Sequence, residues 1–285
     1  MGLLRPHDRG MNRIPLIGAS VVSVQLGAAI AASLFHRVGA PGTVLLRQGF
    51  AAAALLAIAR PRVSGRDRRD WVVIGAFGVV LAAMNVCFYE AVERLPLGIA
   101  VTIELFGPLG LAAGLSRSMR ELAYVVLAAI GVVLLGGATH HLDGSGVVFA
   151  LCAGVGWASY IVLSRRTGRR FEGIEGLALA MVVATVAVAP LGIATGGLRL
   201  IEPGALATGL AVATLSAAIP FSLELHALRV VGPRAFGVLM STSPAVAATI
   251  GWLLLAEPLG GLQVVAICCV VSASAATALA ADIGR

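Results

Sequence analysis

Apolar runs follow one another along almost the whole chain, separated by short polar breaks. An α-helix needs roughly 20 apolar residues to cross about 30 Å of hydrocarbon. Ten windows meet that length, at about 14–35, 41–59, 71–92, 96–116, 121–138, 146–164, 174–194, 204–226, 235–255 and 261–281. The breaks leave no room for a separate soluble domain. The pattern predicts an all-α integral membrane protein of ten transmembrane helices. The basic start and the first apolar run lead straight into more spans, so no cleaved signal peptide is expected and the first helix is retained.

The pattern also repeats. Residues 84–108 read MNVCFYEAVERLPLGIAVTIELFGP, and residues 220–244 read PFSLELHALRVVGPRAFGVLMSTSP. Each is a pair of apolar segments around a polar break, closed by a proline. Ala91 and Ala227, Pro108 and Pro244, and Glu121 and Glu257 are each 136 residues apart, close to half the chain, which indicates a duplicated unit. Five spans per unit is an odd number, so the second unit enters the membrane from the opposite side. The expectation is two inverted five-helix repeats, residues 1–140 and 141–285, around a central cavity. Many secondary transporters are built this way, with the substrate site near the midplane.

Composition agrees. With 59% apolar residues, 12% charged residues and a mean hydropathy of +0.96, too little polar surface exists to cover a soluble core. Every positive side chain is an arginine. Ten crossings from an inside N-terminus put seventeen of them in cytoplasmic segments and only Arg37, Arg94 and Arg199 on the other side, with Arg47 inside the second span. That bias places both termini in the cytoplasm. The net charge of +7 is therefore topological, and no nucleic-acid partner is expected. The basic run RPRVSGRDRRD at 60–70 needs no partner beyond the lipid bilayer. The loops change sign as inversion requires: Arg-rich 60–70 corresponds to TGGLRLIEPG at 195–204, and HRVGAPG at 36–42 to Arg-rich SRRTGRRFEG at 164–173.

Several residue types are uninformative. Cys87, Cys152, Cys268 and Cys269 lie in apolar spans as small hydrophobes, and His140-His141 reads as a solvated loop pair. No metal or cofactor is expected, and nothing signals an oligomeric state.

Function is to be sought where charge enters the apolar segments. Arg47 lies some five residues inside the second span. Either it snorkels or pairs with an intramembrane Glu, or it faces a cavity and holds an anionic group, most simply a carboxylate, in its guanidinium fork. Asn85 and Tyr89 are four apart and share a helical face toward a cavity, while Glu90 and Glu93 sit at the outer mouth. Glu104 and Glu224 are single mid-depth carboxylates, which seldom face lipid and so should line the interior. Pro108 and Pro244 are expected to kink their helices. Gly110 and Gly114 form a small-xxx-small pair suited to helix packing. Glu121 and Glu257 stand at the starts of spans five and ten. Trp157 and Tyr160 face the cavity or pack, and His226 is structural or a proton relay; both questions stay open.

The segments LFHRVGAPGTVLLR (34–47), MNVCFY (84–89), LPLGIAVTIELFGPL (95–109), PFSLELHAL (220–228) and GPRAFGVLMSTSPAVAA (232–248) carry a resemblance. The chain resembles the threonine/homoserine exporter family of EamA-type transporters, in the drug/metabolite transporter superfamily. The resemblance implies ten helices in two inverted repeats, a central cavity, and export of small amino acids across a bacterial inner membrane. It retains Arg47, Asn85, Tyr89, Glu104, Pro108, Glu224 and Pro244, whereas Glu90 and His226 stand where the family tends to uncharged side chains. A zwitterionic amino acid needs an anion for its ammonium and a cation for its carboxylate, and Glu104 or Glu224 with Arg47 supplies both. Protonation of Glu104 or Glu224 would couple export to the proton gradient. The alternative is export of another small metabolite or drug, such as an aromatic amino acid, a nucleoside or a toxic compound. An enzyme would need a nucleophile with its base or a ligand cluster, which an isolated His226 and scattered serines do not supply. Duplicated, proline-kinked helices argue against a passive channel.

Overall fold

The computed structural model describes residues 14–116, 123, 126–127, 130–131, 143–220 and 240–280, and all regular structure among them is helical. In chain order the helices are α1 (Ile14–Ala59), α2 (Arg68–Arg94), α3 (Leu97–Glu104), α4 (Phe106–Ser116), α5 (Gly144–Gly168), α6 (Glu175–Gly196), α7 (Pro203–Ala213), α8 (Ser243–Leu254) and α9 (Gly261–Ala280). A 3-10 turn over Gly197–Ile201 leads into α7, and a π turn over Thr214–Ala218 follows it. The stretches Gly18–Ala59, Arg68–Arg94, Gly144–Gly168 and Glu175–Ile201 are each long and apolar enough to cross a membrane, and shorter apolar helices accompany them. Large apolar side chains such as Val72, Val155, Val186 and Trp252 stand on the outer surface, where lipid rather than water suits them. Most of span five, and parts of spans eight and nine, lie outside the described residues.

The first two expected spans form one helical run without an intervening loop. Its 46 residues would extend about 69 Å if straight, more than twice the hydrocarbon thickness. The chain instead reverses at Gly39, where φ is 72° and ψ 165°, a conformation open to glycine and costly for residues with a Cβ. Pro41 reinforces the corner, because it has no N–H to give the Arg37 carbonyl four residues earlier. Arg199, in the 3-10 turn, donates to that carbonyl at 3.4 Å.

Packing is densest between segments far apart in sequence: α1 lies against α6 and α7, and α2 against α5 and α6. Glycines let these backbones approach. A Cβ on Gly78 would meet the Val183 side chain and the Ala180 carbonyl oxygen, the latter at 2.7 Å. The expected packing pair Gly110 and Gly114 plays no such part, since no described atom lies within 4 Å of a Cβ built on either. The close crossing in this region is made by Gly107 instead, whose added Cβ would collide with the Gly154 carbonyl.

The helix ends are tied across the chain. Arg66 pairs with Glu175 at 2.7 Å and lies 4.5 Å from the Phe171 ring centre, while Arg170 pairs with Asp70 at 2.8 Å. At the other end Asp143 caps α5, accepting from the Ser145 and Gly146 N–H groups at 2.8 and 3.0 Å. Hydrogen bonds from Ser145, and then from Gly146, hold the Asp143 carboxyl below the usual carboxylate range. Glu257 departs from its expected role at the start of its own span. Its carboxylate accepts from the Leu97 N–H at 3.0 and 3.1 Å, and so caps α3 from the far half of the chain.

Candidate functional site

Proline decides where the site forms. Pro108 cannot donate to the Glu104 carbonyl, and the expected continuous span is broken at Leu105, between α3 and α4. The kink thus lies three residues before Pro108, which sits inside the first turn of α4 as prolines commonly do. Pro244 behaves alike: the helix breaks at the Ser241–Thr242 turn and restarts at Ser243. Pro220 follows the π turn and leaves the Ser216 carbonyl without its usual donor. The residues four before these prolines are Glu104, Met240 and Ser216, and all three line one cavity.

The π turn also positions Arg47. Ser216 Oγ donates to the Val212 carbonyl at 2.6 Å and accepts from Arg47 Nε at 2.7 Å. Ser23 of α1 donates to the Leu215 carbonyl at 2.6 Å, which fastens the turn to α1. Arg47 Nη1 donates to Asn85 Oδ1, and Asn85 Nδ2 donates to the Leu81 carbonyl at 2.8 Å. The guanidinium carbon lies 5.8 Å from the Tyr89 ring centre, within cation–π range. Arg47 therefore neither snorkels nor pairs with a carboxylate among the described residues; neutral acceptors hold it in place.

Arg47, Asn85, Ser216 and Glu104 share a cavity of about 320 Å³. This is the lower end of the roughly 300–1,000 Å³ typical of small-molecule sites. Among the described residues, no hydrogen bond or ion pair engages the Glu104 carboxylate, so it and the guanidinium are separate charges of opposite sign on one wall. Gln25, Ser243, Phe88, Trp157 and Tyr160 complete the polar and aromatic part of the lining. A second chamber of about 670 Å³ adjoins the first and shares Leu55, Tyr160, Leu177 and Ala217 with it. Its wall is mainly apolar, with Phe50, Phe77 and Phe171, and it reaches the α5–α6 connection at Gly173 and Ile174.

Of the expected site residues, Arg47, Asn85 and Glu104 come together. Tyr89 does not line the cavity: at 2% exposed, it packs behind Arg47 with ring centres 5.6 Å from Phe35 and 5.8 Å from Phe88. It shares the face of Asn85, but the bulk of Arg47 comes between it and the lumen. Tyr89→Phe keeps those ring contacts and is expected to leave transport at the wild-type rate; a large fall in initial rate would put the hydroxyl on the substrate path. Glu90 is engaged by Arg94 at 2.5 Å, and Arg94 lies over the Phe149 ring, so Glu90 serves the helix end. Trp157 and Tyr160 both face the cavity, and Tyr160 also packs on Phe77 with ring centres 5.4 Å apart. Glu224, His226, Glu121 and His140-His141 lie outside the described residues. Sequence reasoning missed Ser216 and Met240, although a proline four residues ahead of each was a signal for both.

Residues 144–279 match the EamA-like transporter family. The threonine/homoserine exporter RhtA of Salmonella typhimurium strain LT2 is 38% identical over 260 residues, which cover 90% of this chain and 88% of that protein. The threonine/homoserine exporter RhtA of Escherichia coli strain K12 is 37% identical over 269 residues, 93% of this chain and 91% of that protein. A solved crystal structure only 18% identical superposes with a TM-score of 0.65, covering 95% of this chain and 99% of its own, a likeness of fold.

Proposed function

Because this chain belongs to the EamA-like transporter family, within the threonine/homoserine exporter group of the drug/metabolite transporter superfamily, we propose that it exports small zwitterionic amino acids such as threonine and homoserine. The observation that carries the reading is a pair of opposite charges, Arg47 and Glu104, on the wall of one membrane-embedded cavity without an ion pair between them. Arg47 would take the substrate carboxylate, since Asn85 and Ser216 fix its plane but leave part of its donor fork free. Glu104 would take the ammonium, and Glu224 is a second candidate for that role and for the proton. On this reading the protein is a transporter and not an enzyme, built of inverted units 1–140 and 141–285 with both termini cytoplasmic in a bacterial inner membrane. The larger chamber then admits solute from the cytoplasmic side, and rocking of one unit against the other exposes the site outward.

The test is efflux of preloaded threonine and homoserine from cells expressing the chain, beside Glu104→Gln inserted at an equal level. Export by the wild type and its loss in the variant are expected. A correctly inserted wild type that exports neither amino acid would sink the substrate assignment. A second reading, export of a bulkier metabolite or drug, is favoured by the aromatic lining and 670 Å³ of the adjoining chamber. It predicts efflux of an aromatic amino acid or nucleoside in place of threonine.

A further inference from the structure

We propose that Glu257 is the latch at the outer end of the export path: its carboxylate holds the start of α3 against the end of α8, and this bond opens before solute leaves the cavity outward. The inference rests on the transport reading and the topology proposed above, and adds the contact on which outward opening turns.

The two ends of the path differ. A Cβ on Gly146, in the first turn of α5, would stand 2.8 Å from Leu95 Cγ, so α5 begins beside the start of α3 at Leu97. From there α5 runs 25 residues, about 37 Å, to Gly168, where the larger chamber meets the α5–α6 connection. The Gly168 end is therefore roomy. The Leu97 end is shut. On α3, Glu104 and Val101 line the cavity, and Leu97 lies one helical turn beyond Val101; on α8, Ser243 lines it, and Ala247 and Gly251 follow at the same spacing. Leu97, Val101, Ala247 and Gly251 are all buried where these stripes meet. A Cβ on Gly98 would stand 2.6 Å from Ala248 Cβ, and the void beneath Glu257 measures about 10 Å³, room for about one water.

This seam is made of small and apolar side chains, which can part without stranding a polar group. Glu257 is the exception at its rim. Its two carboxylate oxygens accept from the Leu97 N–H at 3.0 and 3.1 Å, one of the first N–H groups of α3 and so without a partner in its own helix. Three features aim it there. Ala256 adopts φ 53°, uncommon for a residue with a Cβ, and turns the chain back over the end of α8. The Leu255 and Glu257 N–H groups both donate to the Gly251 carbonyl, at 3.0 and 3.2 Å. Gly251 leaves room for the carboxylate, since an added Cβ would collide with Glu257 Oε2. A left-handed alanine, a glycine and a charged acceptor thus serve one contact between residues 160 apart.

The experiment places a reporter thiol at Val101→Cys and follows its modification by a small, charged, membrane-impermeant thiosulfonate, added outside whole cells or to inverted vesicles. The four native cysteines without the reporter give the background. With Glu257 intact, the thiol is expected to react from the cytoplasmic side and only slowly from outside. Glu257→Ala is expected to raise the outside rate by about 10–100-fold without raising the cytoplasmic rate, the effect of losing one charge-assisted hydrogen bond from the closed state. Glu257→Gln, neutral but still an acceptor, is expected to fall between. Gly251→Ala keeps the carboxylate but displaces it, and is expected to raise the outside rate as well. An unchanged outside rate in Glu257→Ala overturns the latch. So do rates raised equally from both sides, which mark a loosened fold, and a parent thiol reached equally fast from both. If Glu257→Ala yields no folded protein, Gly251→Ala decides: a faster outside rate supports the latch, and a parental rate or no folded protein overturns it. The topology reading fails separately: a parent thiol reached only from outside overturns it, and Glu257→Ala raising the cytoplasmic rate instead then supports the latch at the opposite face.

Discussion

Adding one methyl group at Gly107 is expected to remove most of the folded protein, while the same methyl at Gly110, three residues along the same helix, is expected to be tolerated. A Cβ on Gly107 would overlap the carbonyl oxygen and carbon of Gly154, and its third neighbour is the Gly154 Cα at 2.9 Å. All three are backbone atoms, so no side chain can rotate away. The reciprocal contact is equally tight: a Cβ on Gly154 would stand 2.7 Å from the Glu104 carbonyl oxygen, the one Pro108 leaves without its helical donor. Relief requires α4 and α5 to separate. Overpacking costs about 1–3 kcal/mol where side chains can adjust and more where they cannot. At Gly110 no described atom lies within 4 Å of the added carbon. The measurement is the yield of monodisperse protein in detergent and its thermal midpoint for Gly107→Ala and Gly110→Ala side by side. Equal values for the two would refute the crossing.

The second large effect concerns Arg47. Arg47→Lys is expected to insert and fold, yet to lower transport by about 10–100-fold, the worth of about one charge-assisted hydrogen bond. The guanidinium donates to Ser216 and Asn85 at once and lies over Tyr89, three contacts that hold its plane. An ammonium is a point charge on a flexible stem and cannot meet both neighbours while presenting a fixed fork to a carboxylate. The loss should appear mainly as weaker dependence on substrate concentration, with KM raised. Arg47→Met separates this from a structural role. If Arg47 serves only to join α1, α2 and the π turn, both variants lose folded protein together, and Arg47→Lys shows no change in KM in what remains.

The helical membrane fold is legible in the sequence through simple rules. Apolar windows of membrane-spanning length and the 136-residue echo identify it, because a backbone in lipid must satisfy its own hydrogen bonds and a helix does so within one segment. The segments around Arg47, Asn85 and Glu104 carry the family resemblance, and these three residues meet in one cavity. Other expectations fail because spacing along one helix says nothing about what stands in front of a side chain. Tyr89 shares the Asn85 face but is screened by Arg47, and Gly110 and Gly114 fit a packing motif with no described partner opposite them.

The sequence by itself determined that apolar helices fill the chain, since length and hydropathy are local properties. Pro108 and Pro244 mark two breaks by residue type, because each lacks an N–H for the carbonyl four residues earlier, whereas Pro190 stands inside α6 without interrupting it. Only the tertiary structure decided what occupies each break: Arg199 at the Arg37 carbonyl, Gly154 against that of Glu104, and Ser23 on the π turn at Leu215. It also decided that Arg47 rests on neutral partners, leaving Glu104 as a separate charge on the same wall, and that Glu257 caps α3. These pairings join residues 38 to 192 apart, and no local rule relates positions that only the packing of helices brings within reach of one another.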